Sequence, residues 1–362
     1  MHWQPTLGYF DEGQDLTDPA LYTSALAPFG EATRLPRFAY RSRMFALLED
    51  EQLWSRCWIP VGAPLRIPNR GDLLPFTVGN HGTHLRREDD GRVRAYFNFA
   101  QHGGCRFVPR QCQTGNKTTC FYTSCGFSRD KGVIRAPEDG TESPEMYMYV
   151  GNNPAKRIPV PVVEVGPLAF VSLQGIEDDM SAQLRDLCGS LARHFSSDVT
   201  HLAHLEVDGR FNWKMFLRAS ASVGTGACDI EHYRAGFPNL SVGAFGDVLY
   251  IAHVQPVGLE RSVLHGDVFR LISPQDAGRR VDESEATDAF RCHLLAIARA
   301  SEALQDQLMD EERSMRREDD IDQWHFHRWY LGKLLQRHDY VDRPIFGRPG
   351  LGSNAGVNSG PF

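Results

Sequence analysis

Long apolar runs are missing from this chain. No stretch holds enough consecutive apolar residues to span a bilayer, and the opening MHWQPTLGYFDEGQD joins no basic start to an apolar run. A surplus of positive charge is missing too. Against 46 Asp and Glu stand 39 Lys and Arg, a formal net charge of -7, which argues against a nucleic-acid binder driven by phosphate contacts. Internal repeats are also absent. The expected location is cytoplasmic.

What is present is ordinary for a globular protein: 41% hydrophobic and 23% charged residues in 362, enough for one large domain or two of common size. Cysteine is unevenly spread. Four of the eight, Cys105, Cys112, Cys120 and Cys125, fall within 21 residues. In a reducing compartment such a cluster reads as metal-binding more readily than as disulfides. Cys57, Cys188, Cys228 and Cys292 are scattered and read as buried free thiols.

The periodicity divides the chain into four parts: an arm over 1–40, a β domain over 41–175, a mixed domain over 176–340, and a Gly/Pro-rich tail over 341–362. The arm is expected to wrap the surface. Ser42 to Trp58 reads as a helix with Met44, Leu47, Leu48, Trp54 and Trp58 on one face. Short strands follow in WIPVG, DLLPFTVG, THLRRE and RVRAYFNF, with Asp89-Asp90-Gly91 as a hairpin signal. MYMYVG and PVPVVEVGPLAFVSL continue the strand pattern. Beyond them, RDLCGSLARHF reads as a helix and FNWKMFLRA as the start of another element. DVLYIAHVQPV and SVLHGDVFRLISP read as paired strands, Glu283–Met315 as a long helix, and WHFHRWYLGKLLQ as an amphipathic helix. The class is α+β.

Several of these segments resemble the α subunit of Rieske-type non-haem iron ring-hydroxylating oxygenases. LEDEQLWSRCWIPVGAPLRIPNRGDLLPF followed by HLRREDDGRVRAYFNFAQHGGCR resembles the entry into the Rieske domain. FNWK resembles the opening of the catalytic domain's metal helix, VQPVGLERSVLHGDVFRL its sheet, and HFHRWYLGKL its late helix. The resemblance covers about residues 40 to 335 in the right order. It implies a small all-β Rieske-like domain and a helix-grip (START-like) antiparallel-sheet domain with a long C-terminal helix.

The resemblance also implies two metal centres, and both ligand sets are incomplete. A Rieske [2Fe–2S] cluster takes two thiolates and two imidazoles, supplied by the family as C-x-H and C-x-x-H. The first loop here reads Ala100-Gln101-His102, with Ala in the Cys position. On the second loop Cys120 matches the Cys and Thr123 stands for the His; aligned instead on Gly126, Tyr122 and Cys125 take those positions. No intact cluster is expected under either alignment. His102, Cys105, Cys120 and Cys125 make a possible tetrahedral zinc set, with Cys112 to spare, set against a metal-free loop of leftover thiols.

The family's mononuclear iron takes two His and one carboxylate. Anchored on Phe237-Pro238, Asp229 matches the bridging acid, His232 the first ligand, and Phe237 fills the second His position. Without an insertion in SASVGTGA, Ser222 and Thr225 face those roles and Ile230 the second His. The third ligand falls in REDDIDQW, at Asp320 or Asp319, a run that reads equally as a solvated charged face. Mononuclear iron is not expected.

The family's head-to-tail trimeric ring implies a partner, an active Rieske oxygenase α subunit in a hetero-oligomer. The leading expectation is a non-catalytic subunit that stabilises or regulates that oxygenase, with no catalytic residues of its own. The alternatives are an enzyme of altered, non-Rieske chemistry using Cys228, Asp229, Glu231 and His232, or a small-molecule-binding module in the same cavity.

Overall fold

A computed structural model describes residues 9–99, 132–143, 146–174, 198–223, 231–236, 238–272, 280–310 and 317–335. The chain enters through a two-residue hairpin, β1 (Phe10–Asp11) with β2 (Gln14–Asp15), then α1 (Phe38–Arg41) and α2 (Arg43–Glu49). Ser42 starts α2 as its N-cap, accepting a hydrogen bond from the Phe45 amide. The helix expected to run to Trp58 instead passes into a π-turn at Asp50–Trp54. An extra residue in a turn rotates the buried face. Phe45, Leu48, Leu53 and Trp54 are therefore buried, while Met44 and Leu47 are only half-buried and Trp58 lies beyond the helix.

The first sheet pair follows. β3 (Ile59–Gly62), β8 (Val162–Val165) and β9 (Leu168–Val171) form one antiparallel sheet in the order β3-β9-β8. β4 (Leu73–Val78), β5 (His81–Arg87), β6 (Val93–Phe97) and β7 (Pro159–Val160) form a second, in chain order. The Asp-Asp-Gly signal is the β5–β6 turn, and Gly91 takes the φ of 80° there that side-chain-bearing residues avoid. MYMYVG is not a strand. It forms one helical turn, α3 (Tyr147–Val150), ended by Gly151 at φ 65°. Met146, Tyr149 and Val150 then pack on Leu73 and Ile134 as a small separate core, and that packing overrides the β propensity of the segment.

The larger sheet comprises β10 (Val199–Gly209), β11 (Glu231–Gly236), β12 (Leu240–Phe245), β13 (Val248–Pro256) and β14 (Ser262–Leu271), in the order β10-β14-β13-β12-β11, all antiparallel. Alternation along its strands supplies two buried faces. One carries Tyr250, Leu264, Gly266 and Val268 and is covered by the long helix α5 (Glu283–Asp310); Phe290 stacks on Tyr250 at 4.8 Å. Gly266 lets that helix close in, since a Cβ there would meet Leu294 and Phe290 at 2.6 Å. The opposite face carries Leu249, Ile251 and Phe269 and packs on Trp58, Leu168 and Phe170 of the β domain.

Two helices complete the described chain: α4 (Phe216–Val223) and α6 (Ile321–Leu334). The amino-terminal arm does more than wrap the surface. Leu16, Tyr22, Ala25 and Leu35 are buried in the main core, and Trp324 and Arg328 of α6 donate to the Ala27 and Leu26 carbonyls. Among the described residues no helix is long and apolar enough to cross a membrane. The expected helix in RDLCGSLARHF lies outside the described residues.

Candidate functional site

Of the residues singled out from sequence, Ala100, His102, Cys105, Cys120, Thr123 and Cys125 lie outside the described residues, as do Asp229 and Phe237. His232 falls within β11. Cys57 is buried as expected, but Cys292 is exposed, because it sits on a solvent-facing position of α5. Asn212, Trp213 and Lys214 are described in full. The Asn212 amide donates to the Tyr40 and Leu259 carbonyls at 3.2 and 2.8 Å, and its backbone N–H donates to Gln305 Oε1 at 3.1 Å. This segment thus ties the amino-terminal helices to the sheet and to α5.

Asp320 is the N-cap of α6. Its Oδ1 accepts from the amides of Asp322 and Gln323 at 2.9 and 3.1 Å. Its neighbours face a cation. Arg218 of α4 reaches Glu318 Oε1 at 3.1 Å and Asp319 Oδ1 at 2.8 Å. Burial pushes the Glu318 carboxyl up against the opposing pull of Arg218. His327 stands 3.7 Å from Glu318 Oε2, and burial holds its imidazole down at about 3, so the ring is neutral. Arg218, Glu318 and His327 line a small pocket here together with Arg34, Tyr40 and Lys214.

A second constellation escaped the sequence reading. On the β10–β14 ladder, Glu206 pairs with His265 and His204 with Asp267, while His253 of β13 lies opposite His265. All of these side chains share the face that looks toward β3 and β4. There Glu206, His253 and His265 border a cleft of about 520 Å³, its mouth included, that is also lined by Val61, Phe76 and Gln255. His204 Nε2 lies 3.1 Å and His265 Nδ1 3.6 Å from Glu206 Oε1. His204 Nδ1 and His201 Nε2 both contact Asp267 Oδ1, at 3.0 and 2.9 Å. The His265 ring stacks on those of His253 and His204 at 5.0 and 5.8 Å.

The electrostatics follow from these contacts. The two histidines beside it, His204 first, hold Glu206 well below the usual carboxylate range. Burial alone would raise Asp267, but its bonds from His201 and His204 outweigh burial and keep it ionised. Burial opposes charge on His204, yet its two carboxylate partners raise its pKa overall. The buried His253 is pushed well below the ordinary imidazole value by desolvation. Among the described residues, His204, Glu206 and His265 are the one group of three whose possible metal-donor atoms lie within 4.8 Å of one another. The signal in the sequence was His-x-Glu in one strand and His-x-Asp in another, which becomes a cluster only once the register is known.

No protein-family model matches the chain. Among curated proteins, the oxygenase subunit of glycine betaine monooxygenase from Chromohalobacter salexigens is 26% identical over 183 residues, which is 51% of this chain and 40% of that protein. The large oxygenase component of the 2,4-dinitrotoluene dioxygenase system from Burkholderia sp. is 23% identical over 211 residues, 56% of this chain and 43% of that protein. The matched region therefore spans less than half the length of these relatives. Among solved structures, the apo form of the quaternary ammonium Rieske monooxygenase CntA superposes with a TM-score of 0.57 at 14% identity, covering 83% of this chain and 95% of that one. Naphthalene 1,2-dioxygenase with indole bound in its active site gives 0.56 at 10% identity, covering 88% and 95%. By sequence over about half its length this chain is similar to Rieske-type oxygenase α subunits, and over more than four fifths of it the fold has their architecture.

Proposed function

We propose that this chain is a non-catalytic Rieske-oxygenase-like subunit that stabilises or regulates an active Rieske non-haem iron oxygenase in a hetero-oligomer. The observation that carries this reading is the state of Asp320, the acid best placed by sequence as the third iron ligand. Its carboxylate is committed to starting α6, and Asp319 beside it pairs with Arg218. With Phe237 in the place of the second His, the residues present do not fit the family's two-His, one-carboxylate iron.

The Rieske positions point the same way. Ala100 cannot donate a thiolate, and the second loop loses its His to Thr123 in one alignment and has Tyr122 for the Cys and Cys125 for the His in the other. His102, Cys105, Cys120 and Cys125 are proposed as structural zinc ligands in place of the cluster. A chain without electron entry has no use for an oxygen-activating iron, so the two losses support each other. Placed in a head-to-tail ring, such a chain would complete the closed assembly around an active α subunit.

Co-expression with an intact Rieske oxygenase α subunit tests the proposal. A tagged chain should retain the intact α subunit through size exclusion and raise its stability or turnover. A homo-oligomer that alone shows a Rieske absorption spectrum and oxygenase activity would sink it.

A further inference from the structure

We propose that His204, Glu206 and His265 bind one divalent transition-metal ion, zinc or another ion of that class, on the sheet face that looks toward β3 and β4. The site is separate from both family centres. The resemblance places the iron ligands after Asn212-Trp213-Lys214 and the cluster ligands on the loops of the β domain, whereas these donors stand on β10 and β14.

Distances come first. Glu206 Oε1 lies 3.1 Å from His204 Nε2 and 3.6 Å from His265 Nδ1, and all three donor atoms fall within 4.8 Å. Donors held ~2.1 Å from one ion stand about 3.0–3.4 Å apart at octahedral or tetrahedral angles. Small side-chain rotations close the set around an ion.

The far nitrogens of the two rings supply a second, independent argument. A neutral imidazole offers one N–H and one lone pair. His204 Nδ1 lies 3.0 Å from Asp267 Oδ1, and His265 Nε2 lies 2.8 Å from Gln255 Oε1. Both partners accept, so these bonds place the proton on the far nitrogen of each ring. The lone pairs of His204 Nε2 and His265 Nδ1 are then left facing a carboxylate. That arrangement is repulsive unless a cation lies between them or the rings take up second protons. An acceptor behind each histidine is also how proteins orient metal-bound imidazoles. His253, stacked on His265 at the cleft, adds a ring whose Nδ1 has no hydrogen-bond partner among the described residues. Glu206 is 44% exposed at the cleft, so coordination positions stay open to water or a small ligand.

The test uses the full-length chain, stripped with chelator and titrated with Zn²⁺ by calorimetry and with Co²⁺ by absorption. Thiolate ligation gives Co²⁺ a strong near-ultraviolet charge-transfer band, so an ion at the cysteine loops is told apart from one on the sheet. The expected result is a thiolate-free site at one ion per chain. Its affinity should fall at least 100-fold in Glu206→Gln and in His204→Ala, and about 10- to 100-fold in Asp267→Asn through the supporting hydrogen bond. Should a variant unfold, ring-nitrogen NMR of the unaltered chain decides between the outcomes. Zn²⁺ must shift the signals of His204 and His265. No thiolate-free binding, equal binding by Glu206→Gln and the unaltered chain, or unshifted ring signals each overturn the proposal.

Discussion

The ammonium of Lys214 lies 2.7 Å from Oε1 of Glu49, with both side chains out of contact with solvent. The same oxygen accepts from Trp213 Nε1 at 3.2 Å and from the Tyr330 hydroxyl at 2.5 Å. Rings of Tyr40, Phe45, Trp213 and Tyr330 surround the ammonium at 5.2–5.8 Å. One buried ion pair therefore joins α2, the Asn-Trp-Lys segment and α6.

Removing one partner of this pair strands the other. Lys214→Met is expected to cost about 3–5 kcal/mol, read by urea unfolding followed through tryptophan fluorescence. Combining it with Glu49→Gln should recover a large part of that loss, because the second change removes the unpaired charge. A double variant less stable than Lys214→Met would contradict this account.

Asp320 gives a sharper test, since a helix cap and a metal ligand respond differently to substitution. Asn caps as well as Asp does, whereas Ala costs about 1 kcal/mol. Thermal melts should show Asp320→Asn within a few tenths of a kcal/mol of the parent and Asp320→Ala clearly below it. A large loss in both variants would point to a role other than capping.

His84 predicts a pH dependence. It is fully buried, its Nδ1 lies 2.9 Å from Asn98 Oδ1, and desolvation lowers its pKa from 6.5 to about 4. The unfolded chain therefore binds a proton between those values that the folded chain does not. Stability contributed by the neutral ring is complete above pH 6.5 and falls as pH drops toward about 4. The loss is on the order of 3 kcal/mol at ~1.4 kcal/mol per unit. His84→Gln should flatten the slope of stability against pH across this window, whatever its effect at neutral pH. An unchanged slope would remove His84 as the cause.

Gly266 lies where α5 crosses β14. Ala at this position puts a methyl group into Leu294 and Phe290. The expected loss is about 1–3 kcal/mol by overpacking, seen as a lower melting temperature. Trimming the opposing side chain with Leu294→Ala should make the Gly266→Ala change less costly than it is in the parent.

Much of the scaffold was legible because its signals are local. The Asp-Asp-Gly turn, the alternation in Val248–Pro256 and Ser262–Leu271, and the spacing of Phe290, Leu294 and Ile297 each reflect contacts within or between neighbouring segments. Two elements differ from their sequence pattern for a non-local reason. Tyr147–Val150 has strand composition but turns helical to reach Leu73 and Ile134, and the helix after Ser42 changes pitch at Asp50. The histidine face is invisible in the sequence. His204 and Glu206 stand on β10, His265 and Asp267 on β14, and only the ladder register makes them neighbours.

The indoles of Trp54 and Trp213 lie 4.9 Å apart, at 69° to each other. Two identical chromophores this close and this far from parallel couple when excited and give a paired circular-dichroism signal. One indole ends the π-turn of the amino-terminal helices and the other belongs to the Asn-Trp-Lys segment. The molecule thus carries a built-in optical gauge of whether its two halves are docked, readable without any label.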